Sequence, residues 1–195
     1  MKVFLDKFKT LYCVGDCFTA GQDTERKYGY PYFLQLLLGE GYFVENLGRA
    51  NLQVRLVLEH PDLFVPDIVA TKALCIIWCG SNDIYLNNGS VEDIFKSYLD
   101  LYSSYKDREV DCLHLTIFPR RGTPLISEKD FESKRKELNK RIMDEFPDST
   151  IDIGNDKTLT RNAHYGTYLR NYHLTYKGFK YVAVKLYDHL KEKGF

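Results

Sequence analysis

The sequence predicts an α/β fold, a three-layer αβα sandwich around a central, mostly parallel, five-stranded sheet. Three observations lead there. Short, bounded apolar runs alternate with segments of helical periodicity, the pattern of a parallel sheet buried under helices on both faces. No internal repeat, linker or low-complexity stretch divides the chain, so residues 1–195 read as one domain of ordinary size. Hydrophobic residues at 44% against 28% charged suffice to fill such a core.

Each element has its own signal. Thr10 to Val14 (TLYCV) is a buried strand closed by Gly15. Residues 29–38 (GYPYFLQLLL) read as a helix entered at Pro31, a residue suited to the first helical turn. Tyr42 to Leu47 is a second strand, ended by Gly48, and Leu52 to Glu59 a second helix. Lys72 to Trp78 (KALCIIW) is the most apolar strand and is expected at the sheet centre. Val91, Ile94, Phe95, Tyr98, Leu101, Tyr102 and Tyr105 form one stripe of a helix over 91–105. Residues 110–118 (VDCLHLTIF) make the fourth strand. Residues 128–146 form a charged helix with Phe131, Leu138, Ile142 and Phe146 inward, and 128–141 reads as a solvated face. Thr150 to Ile153 is a short fifth strand, and Lys177 to Lys193 closes the chain with Phe179, Val182, Ala183, Leu186 and Leu190 on one face.

Composition excludes several partners. Lys+Arg 27 balances Asp+Glu 27, which argues against a protein held by nucleic-acid phosphates or acidic lipid. No apolar run reaches the roughly 18 residues of a membrane span. The first ten residues, MKVFLDKFKT, lack a signal-peptide core, so the cytosol is the expected location. Cysteines at 13, 17, 75, 79 and 112 include two C-x3-C pairs. Both lead cysteines lie in predicted strands, where a spacing of four spans roughly 13 Å, too far for one zinc ion. No metal and no cofactor is expected. Cys13, Cys75 and Cys112 read as small buried apolar residues.

In open parallel sheets ligands bind at the carboxyl ends of the strands. Those positions hold Gly15-Asp16-Cys17-Phe18-Thr19-Ala20-Gly21, then Asn46-Leu47-Gly48, then Gly80-Ser81-Asn82-Asp83; His173-Leu174-Thr175, with Gly178 beyond, precedes the closing helix. In this order the four segments resemble the sequence blocks of the SGNH (GDSL-type) hydrolases, over residues of about 10 to 190. The resemblance implies their flavodoxin-like fold and acyl chemistry on a small-molecule ester or thioester. It matches the nucleophile to Cys17, where the family has serine, and the base to His173. It matches the oxyanion donors to the Cys17 and Gly48 backbone N–H groups and the Asn82 side chain. The family's aspartate, three residues before the histidine, is Arg170 here.

The two departures are compatible. Serine needs a base that is itself oriented by an acid. A cysteine beside an imidazolium can rest as thiolate and relies less on a third member. A thioester intermediate is open to amines and thiols as well as water, so hydrolysis and acyl transfer are both outcomes. A degenerate relative that binds an acyl or carbohydrate ligand without turnover is the second reading.

Around this set, Asp16 and Asp83 are expected to anchor their loops through backbone hydrogen bonds. Tyr85 is expected to shape an acyl pocket. Arg120, Arg121 and Arg170 are candidates for a substrate carboxylate or phosphate, with solvated arginine as the plainer reading, favoured for Arg121. His114 reads as a satisfied core or strand-edge histidine, His164 as a surface-loop histidine or pocket residue, and Phe18 and Trp78 as packing residues. Cys79 is expected to end near Cys17 on a neighbouring strand.

Overall fold

Side chains alternate between the two faces of a strand, and the central strands of this chain put apolar residues on both. In β1 (Lys9–Gly15), Tyr12 and Val14 face one core while Leu11 and Cys13 face the other. In β3 (Ala73–Trp78), Cys75 and Ile77 join the first core, and Leu74, Ile76 and Trp78 the second. Such strands must be covered twice, and the computed structural model, which describes residues 9–22, 28–60, 63–65, 73–161 and 173–194, has helices on both sides.

The elements between run in order as follows. After β1 come a single turn α1 (Cys17–Ala20), α2 (Tyr30–Leu38), β2 (Tyr42–Asn46) and α3 (Val54–Glu59). After β3 come α4 (Ser81–Asn87), α5 (Val91–Lys106), β4 (Asp111–Leu115), α6 (Glu128–Glu145), a 3-10 turn (Pro147–Ser149) and β5 (Thr150–Ile151). The chain closes with α7 (Lys157–Arg161) and α8 (Tyr176–Glu192). The strand order is β2-β1-β3-β4-β5, with every pairing parallel. β3 lies at the centre, as its apolar run predicts. One core holds Val54 and Val57 of α3 with the stripes of α5 and α6. The other holds Tyr30, Phe33 and Leu34 of α2 with Phe179, Val182, Ala183, Leu186 and Leu190 of α8. Among the described residues, no helix is long and apolar enough to cross a membrane.

Besides shifts of one or two residues at element ends, such as β5 stopping at Ile151 rather than Ile153, the structure differs from the sequence reading in three places. The turn α1 begins at Cys17, where a helix or helical turn after the first strand is expected, but the short helices α4 and α7 were not expected; at seven and five residues they are too short to show a periodic stripe. β4 stops at Leu115 rather than Phe118. There the Asn139 side chain takes over the backbone of Ile117, accepting from its N–H at 2.7 Å and donating to its carbonyl at 3.0 Å. Helix α6 is not simply a solvated face before residue 141. Arg135 and Asn139 are buried, and Arg135 Nη1 donates to the carbonyls of Ile117 (2.9 Å) and Gly154 (3.2 Å). Their spacing carries the signal: Phe131, Arg135, Asn139 and Ile142 lie on one helical face. Lys72, expected at the start of β3, lies outside the described residues.

Candidate active site

The strand order reverses between β1 and β3: β2 lies outside β1 on one side and β4 outside β3 on the other. The crevice at the carboxyl end of such a switch point is where open sheets bind ligands. Gly15 and Trp78 pair there, and the Asp16 N–H extends the ladder to the Trp78 carbonyl at 3.3 Å.

Asp16 turns the chain from β1 into α1. It caps the turn, its carboxylate accepting from Phe18 N–H at 3.0 Å. Cys17 is thereby the first residue of α1, and it is buried. Gly48 follows β2 in a loop tied back to β1: Leu47 N–H donates to the Cys13 carbonyl at 3.0 Å and Arg49 N–H to the Gly15 carbonyl at 2.9 Å. A Cβ at Gly48 would collide with the backbone of Thr19 and Ala20, so only glycine lets this loop lie against α1. The Gly48 N–H is hydrogen-bonded to Asn46 Oδ1 at 3.0 Å. Of the three expected oxyanion donors, this one is therefore already engaged.

Gly80, with φ +103°, lets β3 turn directly into α4, a conformation that disfavours any side chain. Ser81, Asn82 and Asp83 follow, all buried. Both carboxylate oxygens of Asp83 accept from Val54 N–H at 3.2 Å, which fixes the start of α3 to the site. Asn82 Nδ2 donates to the Leu52 carbonyl at 3.1 Å, and Asn82 Oδ1 accepts from Arg120 Nη1 at 3.0 Å. The same Nη1 donates to Ser81 Oγ at 3.1 Å. Arg120 is thus neither solvated nor open to a substrate anion at Nη1. It is buried, with its guanidinium 4.0 Å from the Tyr85 ring centre and 5.7 Å from that of Phe18. Tyr85 supports this arginine from one side and meets Phe131 edge-on.

His173 reaches the same place from the far end of the chain. It is buried, and its ring lies 5.5 Å from that of Phe18, the residue after Cys17. Two residues on, Thr175 caps α8, its hydroxyl accepting from Gly178 N–H at 3.2 Å. The Thr-x-x-Gly spacing thus has a physical cause: it starts the helix immediately beyond the histidine. Phe18 is the common floor, packed on Trp78 (5.1 Å) and Phe118 (5.8 Å) as well as His173. Asp16 and Cys17 thus lead into Phe18, Arg120 and His173 lie against its ring, Asn82 joins the group through Arg120, and Gly48 lies against α1. Arg170 and His164 lie outside the described residues.

The electrostatics change one expectation. The sequence suggests a resting thiolate at Cys17. Burial instead raises the Cys17 thiol well above its ordinary range; the Asp16 charge adds to this and Arg120 opposes it. Burial thus favours the protonated thiol. Burial also raises Asp16 to about 6, against the Phe18 N–H bond and Arg120. It raises Asp83 to about 6, against the Val54 N–H bond. The other cysteines are buried and free, and Cys79 Sγ points to the Leu52 carbonyl at 3.9 Å. His114 is a core residue but not a satisfied one: among the described residues neither ring nitrogen has a hydrogen-bond partner. A cavity of about 690 Å³ between α6 and the loop after β5, lined in part by Lys129, Glu132, Arg135 and Lys157, meets this site only at Arg120.

No protein-family model matches the chain, and no curated protein matches it. Solved structures do. A lipolytic protein of the G-D-S-L family from Desulfitobacterium hafniense superposes with a TM-score of 0.72 at 14% identity, over 93% of this chain and 99% of that one. A GDSL-like lipase from Bacteroides thetaiotaomicron gives 0.72 at 20% identity, over 95% and 89%. An aryl esterase from M. smegmatis gives 0.72 at 15% identity, over 94% and 99%. The five-stranded parallel sheet and its surrounding helices are the SGNH-hydrolase α/β fold. At 14 to 20% identity the likeness is one of fold.

Proposed function

We propose that this chain is an SGNH-type acyl enzyme, an esterase, thioesterase or acyltransferase, with Cys17 as nucleophile and His173 as base. The observation that carries the reading is that Cys17 and Asn82 follow the adjacent strands β1 and β3 at the switch point, while the His173 ring lies 5.5 Å from that of Phe18, the residue after Cys17. The superposable lipases and esterases support it as a class. A small-molecule ester or thioester is the substrate.

The protonated thiol sets the order of events. As Cys17 Sγ bonds the carbonyl carbon, its proton passes to His173, and the carbonyl π pair becomes an oxyanion. The Cys17 N–H and the second Asn82 Nδ2 hydrogen, the one not given to Leu52, stabilise that charge; one such donor is worth about 3–4 kcal/mol. Gly48 N–H joins them when Asn46 Oδ1 gives it up. The oxyanion then collapses, the bond to the leaving group breaks, and the imidazolium returns the proton to that group. Water or another nucleophile attacks the acyl-cysteine, giving its proton to His173, and the thiol is restored.

Two observations favour the second reading, a ligand-binding relative without turnover: the raised Cys17 thiol and the Gly48 amide engaged by Asn46. Steady-state turnover of a panel of aryl esters and acyl thioesters by wild type, Cys17→Ala and His173→Ala separates the two. Activity in wild type lost in both variants supports the acyl enzyme. Full turnover in Cys17→Ala excludes Cys17 as nucleophile, and no turnover across the panel favours the binding protein.

A further inference from the structure

A primary amide serves as an oxyanion donor only in one of its two flips; the other presents its carbonyl oxygen and repels the charge. The flip of Asn82 is set by two contacts. Leu52 carbonyl takes one Nδ2 hydrogen at 3.1 Å, and Arg120 Nη1 donates to Oδ1 at 3.0 Å. The flipped amide would set two donors, Nδ2 and Arg120 Nη1, against each other, and two acceptors, Oδ1 and the Leu52 carbonyl. A cation bonded to Oδ1 also polarises the amide, making the remaining Nδ2 hydrogen a stronger donor.

Arg120 is an expensive way to achieve this by structure alone. Its side-chain partners are neutral: Ser81 Oγ, Asn82 Oδ1 and the Tyr85 and Phe18 rings. Its Nε is buried with no hydrogen-bond partner among the described residues. A buried guanidinium without a hydrogen-bonded anion destabilises the resting fold. That destabilisation is relieved when negative charge develops beside it. Asp16, the nearby carboxylate whose charge it feels, accepts instead from Phe18 N–H.

We propose that Arg120 is the positioning residue of the oxyanion site: it locks the Asn82 amide with Nδ2 free for the reacting oxygen and sets a positive charge behind it. The inference rests on Cys17 being the nucleophile. Arg120 touches no reacting atom and acts through Asn82; three residues before it, Asn139 and Arg135 hold the Ile117 backbone.

A double-mutant cycle on acylation of the full chain by an activated aryl ester tests it, with Arg120→Met, Arg120→Lys, Asn82→Ala and the Arg120→Met/Asn82→Ala pair. Arg120→Met is expected to lower the acylation rate by about 10²-fold with KM little changed, the scale of losing one oxyanion donor. In the Asn82→Ala background the same change is expected to be nearly silent, and Arg120→Lys to recover part of the rate. The side-chain amide signal of Asn82 in ¹⁵N spectra is a readout that needs no chemistry: it should be protected from exchange in wild type and lose that protection in Arg120→Met. Equal losses from Arg120→Met with and without Asn82, or an unchanged Asn82 amide signal, overturn the proposal. If Cys17 is not the nucleophile, wild type forms no Cys17 adduct, which is a separate result; the amide signal then decides the positioning claim.

Discussion

Cys17 and His114 are both buried ionisable side chains, one opening α1 just beyond β1 and the other within β4, and in both burial favours the neutral form. Their surroundings differ. His114 is stacked on Phe146 at 4.2 Å and flanked by Tyr98 and Tyr102, with burial the whole cause of a pKa lowered to about 3. Cys17 has the same desolvation but also faces Asp16 and Arg120, charges that pull in opposite directions. Burial alone makes a group inert. Burial among opposed charges makes one whose state shifts when a substrate changes the balance.

The comparison can be broken most sharply at the Cys17 end. Asn82→Ala should slow single-turnover acylation by about 10²–10³-fold, with the fold retained by circular dichroism. An unchanged rate would remove Asn82 from the oxyanion site. Next in size is the pH profile of Cys17 alkylation by iodoacetamide, followed by peptide mapping. Only thiolate reacts, and the thiol is raised, so the rate should climb about tenfold per pH unit from 6 to 9 without levelling. A plateau from neutral pH would mean a resting thiolate.

At the His114 end the expected effect is on stability. The folded pKa of about 3 lies below the ordinary 6.5, so the folded state binds fewer protons than the unfolded state between these values. Stability conferred by neutral His114 is therefore complete above about pH 6.5 and is lost as pH falls toward 3, by about 1.4 kcal/mol per unit. His114→Leu should gain on wild type in that window in urea titrations while leaving acylation unchanged. A parallel pH dependence would show that His114 is not buried neutral. The smallest effect is at the helix cap: Thr175→Ala should destabilise the protein by about 1 kcal/mol and slow acylation only slightly, through a less well-seated His173.

What the sequence made legible follows the same division. The β1, β3 and α8 cores were readable because apolar spacing is their cause: Leu11 to Val14, Ala73 to Trp78, and Phe179, Val182, Ala183, Leu186 and Leu190 are buried where run length and period put them. The site residues were readable as a spaced set at strand ends. The environment of those residues was not. Nothing in the spacing told that Asp16 would be buried beside the thiol, or that Arg120 would turn inward onto Asn82 rather than outward to solvent. Both depend on contacts across many residues, 38 in the case of Arg120 and Asn82, for which a single sequence carries no periodic signal. Arg135 and Asn139 were the exception: they sit on the apolar stripe of α6, where charge density along the helix hid them.

The most direct test of the central claim is intact mass with peptide mapping, after brief exposure of wild type and Cys17→Ala to an activated acyl thioester. The account predicts one acyl group on wild type, mapped to Cys17 and not to the other four cysteines, and none on Cys17→Ala. An adduct that persists in Cys17→Ala, or maps to another cysteine, would contradict it.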